Sequence, residues 1–503
     1  MKMKNEKWML GLALAIPAMA QAAQGAQRPN IVYIMLDDMP YDMLPHSERY
    51  PFLHMPNLER LQREGVTFTN FFCTNSLSAP SRATNLTGTY SHINGHTQNV
   101  GFLEPEWEKT PPFSIYMQQA GYNTAFIGKI HLASDPAHRG KNHIRPGFDY
   151  WISFYGQGSY DDPLIVENGV EVERKGYMTD ILNQYALDWI EKGRDKSKPF
   201  VMCLWHKAVH APFTPAARHA DLYDGETIAP PLYGTDRDDL ATKPKYQRVR
   251  SGKKGEVQFP DRIEPKPWKP RDGQWGQLRT IAAVDNSLGD ILAMLEKERL
   301  LENTIIIFSS DNGFFHGEHQ RGDKRLAYEN SMRIPMIVRY PKGILGGSEI
   351  ENICLNIDVA PTILDFAGLD IPGQMQGVSL KGLLDGRVYE HWRKAFLYEY
   401  YYDNGLKASR LPNLVAIRGE RYKYVENDFL DHQDIGELYD LQHDPGEMRN
   451  LFLDKSSTGI LKEQRKELEK LKAAFQYNPD RNWRVYQIQP SFKDSRNDTG
   501  PKQ

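Results

Sequence analysis

Polar side chains follow four apolar segments of this sequence, each at the point where the apolar run ends. The four segments have the composition of buried strands, with many β-branched residues and little charge. The polar residues are Asp37 and Asp38 after 30–36, Lys129 and His131 after 123–128, His206 and His210 after 199–205, and Asp311 and Asn312 after 304–309. Because the carboxyl ends of parallel strands meet at one edge of a sheet, these side chains are predicted to form one site.

The acids and the amide of this set indicate a metal ion. Asp37, Asp38, Asp311 and Asn312 offer hard oxygen ligands from two strand ends, without a soft ligand among them. Such a set suits calcium or magnesium rather than a transition metal. An Asp-Asp pair taken alone more often belongs to a turn. The presence of Asp311 and Asn312 after another strand favours the interpretation as a metal site.

The segment 73–90 carries a second chemical feature. Ser78 is followed by a proline that stiffens a turn, Ser81 is a candidate cap for a helix, and Arg82 lies one helical turn beyond Ser78. A serine acts as a nucleophile only with an adjacent base. The residues alone therefore leave open whether this segment is catalytic or a loop that starts a helix.

Strand-like and helix-like segments alternate along most of the chain. The predicted strands are 30–36, 123–128, 199–205, 304–309 and 335–340, and the predicted helices are 56–64, 113–120, 179–192 and 277–297. This alternation predicts an α/β fold whose mainly parallel sheet is covered by helices on both faces. The stretch 212–275, rich in proline and charge, is predicted to be an excursion over the sheet.

The composition changes near residue 390. This change predicts a catalytic domain over 28–389 and a smaller subdomain over 390–503. The strand-like runs 396–402, 414–418 and 422–425 indicate a small antiparallel sheet, and 461–475 has the pattern of an amphipathic helix.

The first 22 residues have the pattern of a cleavable signal peptide: lysines at 2, 4 and 7, an apolar run over 8–16, and small residues at 18–22. The run is too short to span a bilayer, and no later segment is apolar enough. The sequence therefore predicts an exported, soluble protein without a membrane partner, periplasmic or secreted. The net charge of -3 gives no argument for a nucleic-acid partner, and three cysteines are too few for a disulfide framework.

The segment 78–88 resembles the signature of the sulfatase family, C/S-x-P-S-R-x-x-x-L-T-G, at every fixed position. Further similarities are the opening 28–38, G-K-x-H at 128–131, H-x-P at 210–212, S-D-N-G at 310–313, and the segments 323–330 and 437–447. The resemblance covers the chain from residue 28 to about residue 453. It implies the α/β sandwich of the alkaline phosphatase superfamily, with a small C-terminal antiparallel subdomain.

The resemblance also implies two cofactors. The first signature residue of the family is oxidised to Cα-formylglycine, which makes Ser78 the predicted site of modification. In the serine type, a radical S-adenosylmethionine enzyme carries out this oxidation, typically in bacteria, which implies an anaerobic bacterial origin and conversion before export. One calcium ion per chain is expected, with ligands from Asp37, Asp38, Ser78, Asp311 and Asn312.

The remaining site residues take their implied roles from the same resemblance. Arg82 and Lys129 would hold the hydrated aldehyde, and His131 would take its remaining proton. Either His210 or Lys324 would protonate the leaving alcohol, and the lysines would offset charge on the sulfate. Taken singly, such residues are more commonly surface charges or core histidines, but their joint order favours catalysis.

The implied substrate is a sulfated carbohydrate. The order of segments resembles bacterial N-acetylglucosamine-6-O-sulfatases, which act on heparan or mucin glycans. Candidates for a sugar pocket are His96, His138, Arg139, His143, Tyr160, Asp161 and 398–403. Three alternatives remain open: a sulfatase for another sulfated glycan, a hydrolase of phosphate diesters or phosphonate esters, and a non-catalytic glycan-binding protein with unmodified Ser78.

Overall fold

The structure is a computed structural model that describes residues 28–99, 107–132, 145–231, 242–248, 250–251, 257–258, 269–270, 272–401, 411–428 and 435–478. Several predictions fall outside these ranges: the signal peptide at 1–22 and the pocket candidates His138, Arg139, His143, Tyr402 and Asp403.

The strands and helices of the described residues follow in chain order. The strands are β1 (Asn30–Leu36), β2 (Val66–Phe68), β3 (Phe71–Phe72), β4 (Asn123–Gly128), β5 (Tyr150–Ser153), β6 (Leu164–Glu167), β7 (Val170–Glu173), β8 (Phe200–Trp205), β9 (Arg250–Ser251), β10 (Val257–Gln258), β11 (Thr304–Ser310), β12 (Phe315–His316), β13 (Gly322–Asp323), β14 (Met336–Arg339), β15 (Ser348–Ile350), β16 (Cys354–Leu355), β17 (Ala395–Tyr400), β18 (Leu414–Gly419), β19 (Tyr422–Asn427) and β20 (Glu437–Asp440). The α-helices are α1 (Pro56–Glu64), α2 (Ser78–Thr87), α3 (Ser91–Asn94), α4 (Phe113–Gln119), α5 (Met178–Asp188), α6 (Lys245–Arg248), α7 (Asp272–Lys297), α8 (Glu329–Met332), α9 (Val359–Phe366), α10 (Lys381–Leu384) and α11 (Thr458–Ala474). A π-helical turn (Trp189–Gly193) continues α5, and short 3-10 helices span Tyr41–Met43, Ala217–His219, Leu301–Asn303, Glu318–Gln320, Asn356–Asp358 and Lys455–Ser457.

Ten strands form one large sheet in the order β15-β2-β14-β11-β1-β8-β4-β5-β6-β7. The strands β11, β1, β8, β4 and β5 are parallel to one another. Antiparallel strands flank this parallel centre, β14 beside β11 and β6 beside β5. The predicted mainly parallel sheet is confirmed, although the predicted strand 335–340 runs antiparallel to its neighbour.

The two faces of β1 point into different cores. Val32 and Ile34 pack with helices α1, α5 and α7, whereas Ile31 and Tyr33 pack with α2, α4 and α9. Successive side chains of a strand point to opposite faces, so a strand that is covered on both sides must be apolar throughout. This requirement explains the uninterrupted apolar run that identifies β1 in the sequence.

A second sheet follows the first along the chain. The antiparallel strands β17, β18, β19 and β20 pair in sequence order, which confirms the predicted small C-terminal sheet. Helix α11 packs against this sheet through the fully buried Leu468. Within the described residues, no helix combines the length and the apolar character that crossing a bilayer requires.

Candidate active site

The four predicted strand ends lie side by side in the large sheet. Leu36 of β1 pairs with Ser310 of β11, and Met35 pairs with Trp205 of β8. Trp205 pairs in turn with Gly128 of β4. The residues that follow these strands therefore share one edge of the sheet.

The end of β4 requires glycine. Gly128 has a φ of 127°, and a Cβ atom there would lie 1.9 Å from the carbonyl oxygen of Trp205. This close approach directs the next residue, Lys129, into the site, where its ammonium forms an ion pair with Asp37. The same ammonium donates to Gln157 Oε1 at 2.5 Å. Lys129 is fully buried, so these contacts replace its hydration.

Ser78 is the first residue of α2 and is fully buried at this edge. Its Oγ lies 3.3 Å from Asp37 Oδ1 and 3.3 Å from Lys324 Nζ. The prediction that Ser81 caps the helix is wrong, because the helix already begins at Ser78. The Ser81 hydroxyl instead donates to the carbonyl of Asp311 at 2.5 Å and so holds α2 against the end of β11.

Arg82 lies one helical turn after Ser78 and spans two strand ends. Its Nη2 donates to Asp37 Oδ2 at 2.9 Å, and its Nε donates to Asp311 Oδ2 at 2.9 Å. Its Nη1 donates to the carbonyl of Lys129 at 2.6 Å. The donors of a planar guanidinium lie on three separate nitrogens and reach three acceptors that are far apart, whereas the donors of a lysine share one nitrogen. This geometry explains arginine at a position without solvent exposure.

The adjacent carboxylates of Asp37 and Asp38 differ in their electrostatics. Burial raises the pKa of Asp37, but neighbouring cations, Lys129 first among them, lower it well below its ordinary value. Burial raises the pKa of Asp38 to about 7; its ion pair with Lys324 opposes this rise, and Asp37 adds to it. Asp38 also has a φ of 64°, an uncommon backbone conformation for a residue with a side chain. The carboxylates of the site form ion pairs with three basic side chains, with which a bound divalent cation would share them.

The oxygen donors of the site fit a hard divalent cation. Asp37 and Asp38 each present a carboxylate oxygen and His210 presents a ring nitrogen, and these three atoms lie within 4.8 Å of one another. Asn312 Nδ2 donates to Asp38 Oδ1 at 2.7 Å, whereas Asn312 Oδ1 is buried and has no hydrogen-bond partner among the described residues. Asp311 Oδ1 accepts from the backbone amides of Asp38 and Asn312 at 3.1 and 2.8 Å. A buried amide oxygen beside carboxylates is the kind of ligand that calcium takes.

Two histidines flank the carboxylates. His131 is buried, with its Nε2 3.5 Å from Gln157 Nε2 and its Nδ1 without a hydrogen-bond partner in the described part of the chain. Burial and the Lys129 ammonium lower the pKa of His131 well below its ordinary value, so the ring is neutral. His210 Nε2 lies 3.6 Å from Asp38 Oδ2, and His210 Nδ1 lies 2.8 Å from the carbonyl of Ala211.

Lys207, which the sequence reasoning did not assign, supports the segment of His210. Its Nζ donates to the carbonyl of Ala211 at 3.2 Å and lies 4.8 Å from the centre of the Tyr160 ring. Tyr160 Oη donates to the carbonyl of His210 at 2.6 Å. Lys207 could have been found from its position in the polar run after β8. No motif in the sequence marks Gln157, the residue that contacts Lys129.

The described candidates for a sugar pocket do not form one exposed surface. His96, Tyr160, Tyr398, Tyr400 and Tyr401 are buried, and only Asp161 among the described candidates is exposed. Tyr160 and Tyr398 use their hydroxyls to hold backbone carbonyls. The aromatic composition of a segment therefore does not show whether its residues pack in the core or are exposed to bind a sugar.

Solved structures define the class of fold. The chain is 22% identical to the phosphonate monoester hydrolase of Agrobacterium radiobacter, with a TM-score of 0.70 over 89% of this chain and 96% of that chain. It is 32% identical to a protein solved in complex with its substrate, D-glucosamine-2-N,6-O-disulfate, with a TM-score of 0.76 over 90% of this chain and 99% of that one. The fold is that of the alkaline phosphatase superfamily.

Sequence comparisons narrow this class to a family. The profile described as Sulfatase matches residues 29–369, and the profile described as N-sulphoglucosamine sulphohydrolase, C-terminal, matches 317–474. The N-acetylglucosamine-6-O-sulfatase of Bacteroides thetaiotaomicron is 35% identical, over 90% of this chain and 88% of its own length. The human N-acetylglucosamine-6-sulfatase is 30% identical, over 75% of this chain and 68% of its own length. The chain belongs to the sulfatase family, whose members are sulfuric ester hydrolases, and the predicted resemblance is confirmed.

Proposed function

We propose that this sulfatase removes the 6-O-sulfate from N-acetylglucosamine or N-sulfoglucosamine in a glycan, with formylglycine at position 78. The observation that carries the proposal is the position of Ser78. Its Oγ lies 3.3 Å from both Asp37 Oδ1 and Lys324 Nζ, and Arg82 follows one turn later on the same helix. A residue in this position can meet a sulfate group that the surrounding cations neutralise.

Calcium would be held by Asp37, Asp38, Asp311, Asn312 and residue 78. When bound, the ion supplies Lewis-acid stabilisation of a deprotonated oxygen and of sulfate charge. Oxidation of Ser78 to formylglycine supplies a carbon that carries two hydroxyls in water, one to attack sulfur and a second through which sulfate is expelled. A plain serine offers only the first hydroxyl, so its sulfate ester would need water to attack sulfur.

Residues of the chain itself would orient the attacking oxygen and transfer protons, from two sides of position 78. Arg82 and Lys129 lie beside Asp37 and hold the attacking oxygen in place by charge and by hydrogen bonds. His131 is the base that takes the proton of the second hydroxyl, since burial and Lys129 keep its imidazole neutral.

The leaving alcohol departs on the side of His210 and Lys324. Burial lowers the pKa of Lys324, but Asp38 and the other nearby carboxylates raise it above its ordinary value, so the ammonium keeps its proton. Lys324 is therefore suited to neutralising sulfate, and we assign proton donation to His210. The Ala211 carbonyl holds the His210 Nδ1 proton, so Nε2 faces the site and can donate only when both ring nitrogens are protonated. Burial and Lys129 lower the pKa of His210 well below its ordinary value, which makes this imidazolium a strong acid toward the leaving alcohol.

The substrate assignment is supported by the relatives. Two N-acetylglucosamine-6-sulfatases, from B. thetaiotaomicron and human, are at least 30% identical to this chain. The protein solved with D-glucosamine-2-N,6-O-disulfate shares the fold over 90% of this chain. Both sets of names have a 6-sulfated glucosamine in common, and this sugar is the substrate we propose.

Export and modification complete the proposal. Residues 1–22 would direct the chain out of the cytoplasm, to the periplasm or beyond. A radical S-adenosylmethionine formylglycine-generating enzyme would oxidise Ser78 before export, because the segment 78–88 has the signature that such enzymes recognise.

Mass spectrometry of the peptide that contains position 78, from protein made with and without the modifying enzyme, gives the first test. Conversion removes two hydrogens and so lowers the mass by about 2 Da. The converted protein is then assayed on glucosamine sulfated at O3, O6 or N, and on a matched phosphate diester. We expect turnover of the 6-O-sulfate that follows the degree of conversion and is lost in Ser78→Ala.

Three results contradict the proposal. Full activity of unmodified protein would remove the role of formylglycine. A faster rate on the phosphate diester would assign the chain to another reaction of the superfamily. Tight binding of the 6-O-sulfate without turnover by fully converted protein would indicate a glycan-binding protein.

A further inference from the structure

The hydroxyl of Tyr398 forms hydrogen bonds with the backbone of two different segments of the site. Tyr398 belongs to β17 of the small sheet and has no solvent exposure. Its Oη donates to the carbonyl of Arg325 at 2.6 Å and accepts from the backbone amide of Ser76 at 3.3 Å. One oxygen atom thus uses both its donor and its acceptor capacity on backbone groups of two different loops.

Both loops carry residues of the proposed reaction. Ser76 precedes Ser78 by one intervening residue, and Arg325 directly follows Lys324. The Lys324 ammonium lies 3.3 Å from Ser78 Oγ and forms an ion pair with Asp38. A displacement of either loop would change the distance between position 78 and Lys324.

The loop that carries Lys324 has a strained backbone, which contacts from other parts of the chain must stabilise. Asp323 and Arg325, on either side of Lys324, have φ values of 72° and 86°. Such conformations are unfavourable for residues with side chains and persist where the surroundings fix them. Tyr398 supplies one such contact. The next residue of β17, Glu399, instead contacts the loop before Ser78, since its backbone amide donates to the carbonyl of Thr74 at 2.9 Å.

We propose that Tyr398 is a positioning residue that sets the separation between residue 78 and Lys324. The small sheet thereby takes part in catalysis without touching the substrate. This inference rests on the proposed roles of residue 78 and Lys324. It also assigns a different task to a tyrosine whose position in an aromatic run suggested a sugar contact.

Tyr398→Phe tests the inference, because it keeps the ring and removes the hydroxyl. The matched control is Tyr424→Phe on β19 of the same sheet, whose hydroxyl accepts from Arg465 Nε and donates to Glu426 Oε1, each at 3.1 Å. Rates are measured on the 6-O-sulfated sugar and divided by the formylglycine content of each protein. We expect Tyr398→Phe to lower kcat at least about tenfold with KM within about twofold, since small misplacements of reacting groups reduce rates steeply. Tyr424→Phe should change neither constant.

A double-variant cycle with Lys324→Met separates positioning from general stability. If Tyr398 acts through Lys324, Tyr398→Phe should change kcat less than about twofold in the Lys324→Met background. If Tyr398→Phe does not fold, p-aminophenylalanine at position 398 keeps a donor for the Arg325 carbonyl and should retain more activity than Lys324→Met.

The inference fails if Tyr398→Phe keeps the wild-type kcat per formylglycine, or if its effect is unchanged in the Lys324→Met background. An amino variant no more active than Lys324→Met also contradicts it. Failure of the proposed function has a different signature, because the converted wild-type protein would then hydrolyse no sulfate ester.

Discussion

The guanidinium of Arg82 contacts the carboxylate of Asp311, with 2.9 Å between Nε and Oδ2, although 229 positions separate the two residues in the chain. The same guanidinium contacts Asp37 through Nη2 at 2.9 Å. Arg82 therefore links the ends of two neighbouring strands, β1 and β11, beneath position 78. Arg82 therefore helps to set the spacing of the carboxylates that would bind calcium.

Replacing Arg82 by lysine should damage catalysis far more than a conserved charge suggests. The donors of a lysine ammonium share one nitrogen and cannot reproduce the spacing of the guanidinium nitrogens, so at least one of the two buried carboxylates would lose its arginine contact. We expect Arg82→Lys to lower kcat/KM about 100-fold or more on the 6-O-sulfated sugar. The measurement is steady-state kinetics on protein of known formylglycine content.

Arg393→Lys provides the control for this substitution. Arg393 donates to Asp358 through Nη1 at 2.6 Å and Nη2 at 2.8 Å, a two-pronged pair outside the site. This variant should lose stability while kcat/KM stays within about threefold. Equal loss of turnover in both variants would contradict a specific role of Arg82.

Removal of a predicted ligand should greatly weaken calcium binding without unfolding the chain. In Asp311→Asn the site loses one of three carboxylates, and charge is the main source of affinity for a hard cation. We expect calorimetry to show calcium binding to the wild type and at least about 100-fold weaker binding to the variant. The wild type should also melt at a higher temperature with calcium, since a ligand that binds only the folded state stabilises it.

Asp358→Asn serves as the matched control, because Asp358 is also fully buried but lies outside the carboxylate cluster. Its calcium affinity should equal that of the wild type. The metal assignment would be wrong if Asp311→Asn bound calcium with unchanged affinity, or if Asp358→Asn lost binding to the same extent.

The elements best predicted from the sequence are those whose surroundings require a recognisable pattern of apolar residues. The run 30–36 coincides with β1 because both faces of that strand are covered, so every side chain must be apolar. The edge strand β7, Val170–Glu173, was not predicted, because three of its four residues are exposed and no core enforces a pattern. The convergence of strand ends followed from topology, since parallel strands share their carboxyl edge.

The supporting contacts of the site could not be read from the sequence, because they join distant positions by single hydrogen bonds. Ser81 and Asp311 are 230 positions apart, and Ser76 and Tyr398 are 322 apart. No periodicity marks such a pair, and a serine before a helix resembles a cap. The aromatic run at 396–402 likewise has the composition of a sugar site, although its described tyrosines, Tyr398, Tyr400 and Tyr401, are buried.

Substitution of His210 should affect substrates according to their leaving groups. A sugar alkoxide is a poor leaving group and needs a proton, whereas 4-nitrophenolate leaves without one. We expect His210→Ala to lower kcat at least about 100-fold on the sugar sulfate and less than about tenfold on 4-nitrophenyl sulfate. Lys324→Met is the comparison, since loss of sulfate neutralisation should slow both substrates alike. A uniform loss in His210→Ala would exclude it as the proton donor.

His206 should make the fold sensitive to mild acid. It follows β8, has no solvent exposure, and both ring nitrogens lack a hydrogen-bond partner among the described residues. Burial lowers the pKa of His206 to about 4, although Asp180 opposes the shift. The unfolded chain, with an ordinary histidine pKa of about 6.5, binds the proton first, so stability is complete above pH 6.5 and declines as the pH falls toward 4.

The size of this effect follows from the two pKa values. At pH 5 the wild type should have lost about 2 kcal/mol of its stability through His206 alone, because each pKa unit corresponds to about 1.4 kcal/mol. In His206→Leu this part of the loss should disappear. Between pH 7.5 and pH 5, the free energy of unfolding of the variant should therefore fall by about 2 kcal/mol less than that of the wild type. Denaturant titrations at both pH values measure it, with His391→Leu as the matched replacement of a histidine at an exposed position. An identical pH dependence in His206→Leu and the wild type would mean that this ring is protonated as readily in the folded chain as in water.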